Sequence, residues 1–230
     1  MQSKSETQKN QLSEVDRKDA YGYKPKMRGW IHAGTAPLAL AASIVMLCLA
    51  DNVEKRWACA VFLVCSLLLF GVSALYHRIP WGRRGYGVMR RLDHCNIFLL
   101  IAGSYTPIAV SLLNKSQTTH LLLIVWLGAL LGIFLSVFWV NAPRWVYVPI
   151  YILLGWVALW YMNPILIAGG WAVIWLLIAG GLCYSIGAIF YGIRWPGRDA
   201  KYFGYHEIFH SGTVAGWVCI CIAAYFAVLS

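Results

Sequence analysis

Charge is what this sequence has least of. Only 12% of its 230 residues are charged and just nine are acidic, about half the charged share of an ordinary soluble domain. A soluble domain of this length needs a large polar surface, and too few charges remain to cover one. The 60% hydrophobic content excludes a disordered chain as well. The seven cysteines (48, 59, 65, 95, 183, 219, 221) form no paired loop pattern, which excludes a disulfide-stapled secreted domain; they read as packing residues. No apolar stretch lies in residues 1–29, so no cleavable signal peptide is expected.

What the sequence has instead is a succession of apolar runs, with 12 Trp and 13 Tyr that suit the two membrane interfaces. About 20 apolar residues cross a bilayer as a helix. The runs predict spans at 31–50, 57–79, 92–113, 119–140, 144–162, 165–192 and 205–229. DNVEKR, RIPWGRRGYGVMRR, NKSQT, NAPR, MNP and IRWPGRDAKYFG mark the breaks. The runs are continuous rather than alternating, so a membrane β-barrel is excluded. The expected fold is an all-α membrane protein, a seven-transmembrane helix bundle spanning 31–230. Residues 1–30 read as a flexible basic cytosolic tail, with room for a short surface helix near its end.

Orientation follows from Lys and Arg. The tail and the stretches after spans two, four and six hold 16 of the 19, against three (Lys55, Arg56, Lys115) on the other side. The positive-inside rule then puts the N-terminus in the cytoplasm and the C-terminus outside. The net charge of +10 therefore reads as cytoplasmic loops, not as a nucleic-acid surface. The last span has no Lys, so no retinal Schiff base is available there.

Ionisable groups inside spans are costly and mark function. Span two ends in SALYH, with Ser73 and His77. Span three opens in RRLDHCN, with Asp93 and His94. Span seven opens in YHEIFH, with His206, Glu207 and His210, and span one opens near His32. Given the orientation, all of these reach one depth near the cytoplasmic face. His120 alone opens a span on the outer side.

His206 and His210 are four residues apart, so their imidazoles face the same way, one turn apart. Neutral imidazole suits zinc. Two histidines on one helix and a third from a neighbour would make three protein ligands, the number typical of a catalytic zinc with a water in the fourth place. Asp93 is the candidate to orient that water or take its proton. Ser73 is the candidate to hydrogen-bond the water or a substrate oxygen. HEIFH also matches the H-E-x-x-H pattern of zinc proteases, with Glu207 as base. Glu207, however, lies about 100° round the helix from His206, and it reads better as an interfacial carboxylate.

The order SALYH, RRLDHCNIFLLIAGSYTPI and HEIFH on seven spans resembles the hemolysin III family, grouped with the progestin and adipoQ receptors and the alkaline ceramidases. The resemblance covers roughly residues 24–229. It implies a zinc ion held by His77, His206 and His210, with Asp93 and Ser73 around the zinc-bound water. His32 and His94 would be supporting or structural. It also implies hydrolysis of a lipid amide or ester, with membrane lipid as substrate or ligand, no nucleic-acid partner, and residence in a bacterial-type inner membrane. One departure stands out. KPKMRGWIH, ahead of the first span, lacks the acidic residues that many members carry there. Two alternatives remain: a non-enzymatic receptor-like or lipid-homeostasis protein with structural zinc, and a membrane-lysing or pore-forming protein.

Overall fold

The structure, a computed structural model, describes residues 18–19, 22–23, 25–139, 142–197, 200 and 202–230. Most of the expected tail, and Arg198 and Lys201 of the orientation count, lie outside the described residues. Ahead of the first span, two-residue strands β1 (Lys18–Asp19) and β2 (Gly22–Tyr23) pair antiparallel. A turn over residues 26–29 stands where a short surface helix was expected.

Helices follow in chain order: α1 (Trp30–Leu49), α2 (Val53–Arg78), α3 (Arg83–Leu112), α4 (Lys115–Phe138), α5 (Arg144–Gly155), a 3-10 segment (Val157–Tyr161), α6 (Met162–Ile193) and α7 (Tyr205–Leu229). Among the described residues, six stretches are long and apolar enough to cross a membrane, five of them single helices and one running from Arg144 to Ile193.

The helix starts have local causes. Asn52 accepts from the Lys55 amide (2.8 Å) ahead of α2, and Asn114 accepts from the Gln117 amide (2.9 Å) ahead of α4. Each satisfies an amide that has no partner within the helix. The basic run expected to be a loop is helical from Arg83 on. Arg is a good helix former, and Arg91 donates to the Val137 carbonyl at the end of α4 (3.1 Å), so that charge is used at a helix end.

Inner faces follow helical spacing. In α1 they are His32, Thr35, Ala39, Ser43 and Met46, and in α2 the buried stripe ends in Ser73, Tyr76 and His77. The outer faces are apolar too: Leu38, Leu131, Phe138 and Ile167 are exposed, and exposed Trp57, Trp145 and Trp160 lie near helix ends. Such a surface suits hydrocarbon rather than water.

The Arg144–Ile193 stretch reverses direction. Arg144 donates to the Tyr191 carbonyl (2.9 Å), and the Trp156 indole donates to Ser185 Oγ (2.9 Å). α5 is therefore antiparallel to the second half of α6. The reversal is not at Asn163–Pro164, because Pro is tolerated in a helix's first turn, and Pro164 sits in the first turn of α6. It is at Gly170, where φ is +74° and ψ 178°, a conformation that glycine alone adopts readily.

Glycines elsewhere allow close approach, as the sequence suggested. A Cβ on Gly103 would meet Cys65 at 2.7 Å, and one on Gly180 would meet Ile220 at 2.9 Å. Gly187 and Gly212 bring the α6 and α7 backbones together: a Cβ on Gly212 would lie 2.8 Å from the Cys183 carbonyl. All seven cysteines are unpaired thiols.

Candidate metal centre

The inner stripe of α2 delivers His77 near its end, and α7 delivers His206 and His210 on its first turns. Their ligand atoms all lie within 4.8 Å of one another. His206 Nε2 is 3.2 Å from His77 Nε2. Ring centroids are 4.6 Å apart for His206 and His210, and 5.1 Å for His77 and His210. His77 and His210 are buried, and His210 Nδ1 has no hydrogen-bond partner among the described residues. Three imidazoles with an unused buried nitrogen form a donor set that could hold a metal ion.

Asp93 enters from α3. Its Oδ2 is 3.9 Å from His77 Nε2. Ser73, one turn before His77, is buried and is a hydrogen-bonding neighbour of the Asp93 carboxyl. The sequence-derived residues therefore meet at one place, although they come from three helices.

His32 does not join the ligand group. Its ring stacks on His210 with centroids 3.9 Å apart and planes 12° apart, and Phe70 meets it edge-on at 5.2 Å. It fixes the His210 ring by packing. His94 is outside the ligand group as well: it lines the polar cavity beside the cluster, and its Nδ1 pairs with the Arg90 carbonyl of the preceding turn (2.8 Å). His120 is exposed at the start of α4.

Glu207 is the main correction to the sequence reading. It is not interfacial but fully buried, and forms an ion pair with Arg28 Nε through Oε1. Its Oε2 accepts from the Gly204 amide at the head of α7 (2.9 Å). Neither role is that of a protease base. Next to Arg28, Gly29 has φ +82°, and a Cβ there would lie 2.7 Å from His77 Cβ. Residues 28–29 thus clamp both ligand-bearing helices, Arg28 on α7 and Gly29 on α2. The missing acid ahead of span one is matched by a basic residue in that stretch whose acidic partner sits on the last helix. The spacing signal was present: Glu207 lies three residues before His210, on the same inner face. Its partner, 179 residues away, carried no local signal.

Two cavities meet at the cluster. One, of about 50 Å³, is polar; Arg28, Arg90, Arg144, Tyr191, His77 and His206 are among its walls. The other, of about 120 Å³, is mostly apolar and runs from Ser73, His32 and His210 past Leu100 and Ile108 to Leu121 and Ile165. Asp93 lines both. The arrangement places a carboxylate and three imidazoles between a cationic chamber and an apolar one.

Comparison with known proteins agrees with the pattern of residues. The chain matches the family described as Haemolysin-III related over residues 21–221. It is 32% identical over 186 residues to the "Hemolysin-3 homolog" of Bacillus subtilis (strain 168), covering 80% of this chain and 86% of that protein. It is also 32% identical over 194 residues to "Hemolysin-3" of Bacillus cereus, covering 82% and 86%. The matched region takes in α1 and the helices that carry all three histidines, Asp93 and Ser73, and on that match the chain belongs to the haemolysin-III related family.

Proposed function

We propose that this protein is a zinc-dependent hydrolase of a lipid amide or ester, with the metal held by His77, His206 and His210. The observation that carries the proposal is the convergence of three imidazoles and a carboxylate where a cationic cavity meets an apolar one. That is the shape of an amphiphile: a polar head, a bond to be cut, and a chain. Zinc on three histidines supplies a Lewis acid and a water activated near neutral pH.

The chain's own residues do the rest. The apolar cavity holds the lipid tail and keeps water from it. The guanidinium groups of Arg90 and Arg144 hold an anionic or polar head by charge. Asp93 takes the proton of the attacking water on a carboxylate oxygen and returns it to the leaving nitrogen or oxygen. Ser73 donates a hydrogen bond that fixes the Asp93 carboxylate. His32, stacked on His210, sets that ring's angle.

The membrane arrangement belongs to the same proposal. A continuous helix of 50 residues would be about 75 Å long, far more than the roughly 30 Å of hydrocarbon. The non-helical Gly170 and the antiparallel packing of α5 on the second half of α6 support two crossings for the Arg144–Ile193 stretch, and so seven in all. The Lys and Arg distribution favours the N-terminus and the metal centre on the cytoplasmic side, and the similarity to bacterial proteins favours a bacterial-type inner membrane.

The test is turnover. Purified protein is assayed on ceramide-like amides and on lipid esters beside the His206→Ala and Asp93→Asn variants. Hydrolysis that falls to background in both variants supports the proposal. Hydrolysis that persists in both refutes it.

A further inference from the structure

The charge and the size of the polar cavity together narrow what its occupant carries. Among the described residues its walls hold three guanidinium groups, those of Arg28, Arg90 and Arg144, and one carboxyl, that of Asp93. Arg28 is matched by Glu207. Arg90 and Arg144 outnumber Asp93 on the walls that remain. Arg144 is held in position. Its Nη1 donates to the Tyr191 carbonyl (2.9 Å), its Nη2 donates to the Tyr205 hydroxyl (3.2 Å), and the guanidinium lies 4.1 Å over the Tyr191 ring. These contacts position the charge without cancelling it. A guanidinium offers a planar fork of donors that matches a carboxylate.

Both arginines lie within one turn of the metal centre. Arg90 is three residues before Asp93 on α3, about 4.5 Å along the axis. Arg144 bonds to Tyr205, the residue before His206. An anion between them is therefore only a few bonds from the bond to be cut. In an N-acyl amino acid the carboxylate carbon is about 3–4 Å from the acyl carbon, as two successive carbonyl carbons are in a peptide.

The space is also small. The cavity holds about 50 Å³, and one water needs about 10–15 Å³, so about four non-hydrogen atoms fit. A CH₂–COO⁻ head has that size; a glycerophosphate, a sugar or a second acyl chain does not fit. The N-terminal strap closes in from one side. Arg28 is one of the walls, Met27 donates from its amide to the Tyr202 carbonyl (3.3 Å), and a Cβ on Gly29 would lie 2.7 Å from His77.

We propose that the substrate is a single-chain N-acyl amino acid with a small side chain, of the N-acylglycine kind. The acyl tail lies in the apolar cavity, the amide at the metal centre, and the carboxylate between Arg90 and Arg144. Cleavage breaks the amide C–N bond: the oxygen of water goes to the acyl carbon and a proton to the nitrogen, giving a fatty acid and a free amino acid. This rests on the lipid-amide reading given above and deepens it by naming the head.

The experiment is equilibrium binding of three compounds with one oleoyl tail to the full-length protein in neutral detergent. The pH is about 8, well above the pKa of a carboxylic acid. N-oleoylglycine has a small anionic head, N-oleoylethanolamine a neutral head of the same size, and N-oleoylphenylalanine a large anionic one. Each compound is recovered afterwards and tested for cleavage by mass spectrometry. N-oleoylglycine is expected to bind about tenfold or more tighter than either of the others, as a charge-assisted hydrogen bond and a limited volume would give. In Arg90→Gln and Arg144→Gln the advantage over N-oleoylethanolamine falls to about threefold or less. Thermal melts establish that the variants remain folded, and the wild-type series stands as a test without them. Equal affinity for the glycine and ethanolamine compounds overturns the anionic head, and so does a preference retained in both variants. Equal affinity for the phenylalanine compound overturns the small head. Binding of none of the three strikes the lipid reading as well. N-oleoylglycine that binds with the expected preference but is recovered intact leaves the head recognition standing and counts against hydrolysis. Cleavage of all three at equal affinity does the reverse.

Discussion

Removing the Glu207 charge should destabilise this protein far more than removing a charge from its surface. The carboxylate is fully buried, Arg28 is 7% exposed, and the two are ion-paired. Glu207→Gln keeps the shape and leaves the guanidinium buried against a neutral amide. Breaking one side of a buried pair costs about 3–5 kcal/mol, because the remaining charge is uncompensated. Glu207→Ala also frees the Gly204 amide, adding about 1 kcal/mol. Replacing both partners with apolar side chains, Arg28→Met with Glu207→Leu, should recover most of the loss, leaving about 1–2 kcal/mol for the lost cap and the altered packing.

The assay is reversible unfolding in mixed micelles, read by Trp fluorescence, across wild type, Arg28→Met, Glu207→Leu and the double variant, with Glu207→Gln beside them. A coupling of about 2 kcal/mol or more between the two positions is expected. If each single variant loses less than about 1 kcal/mol, as for a solvent-screened pair, the reasoning about burial is refuted.

Four further outcomes follow. His77→Ala and His210→Ala should each abolish stoichiometric zinc in purified protein, measured by elemental analysis, whereas His120→Ala should leave it unchanged. Asp93→Asn should keep the metal while lowering amide hydrolysis by about 10²–10⁴, the range of general acid–base catalysis; full activity in this variant would remove Asp93 from the mechanism. Gly29→Ala forces a side chain at φ +82° against His77, costing about 1–3 kcal/mol, and should weaken zinc binding in a chelator competition. Gly212→Val should separate α6 from α7 and lower stability by about 1–3 kcal/mol, seen as a lower melting temperature.

Local features of the sequence were legible because they depend on helical period alone. His206 and His210 share a face through their spacing, and the stripe ending at Ser73 and His77 continues the apolar positions of the same helix. Long-range features were not legible. Arg28 and Glu207 are on opposite ends of the chain, and each looks solvated when read in its own neighbourhood. The run from Arg83 to Arg91 looked like a loop because of its charge density. Its helix is compatible with Arg propensity and with a carbonyl on another helix that only tertiary structure brings near. Asn163–Pro164 looked like a break because Pro ends helices, yet in a first turn it starts one. The turn fell instead to Gly170, one of two adjacent glycines inside an apolar run with no polar residue to mark it.

In the proposed centre, three imidazoles from two helices hold a zinc ion with room for a water. Zinc K-edge X-ray absorption on the purified protein tests this most directly. Three nitrogen ligands at about 2.0–2.1 Å and one further light ligand exchangeable with solvent are expected, with the signal lost in His206→Ala. A fourth protein ligand closing the site, or protein that purifies folded without zinc and does not take it up, would contradict the claim.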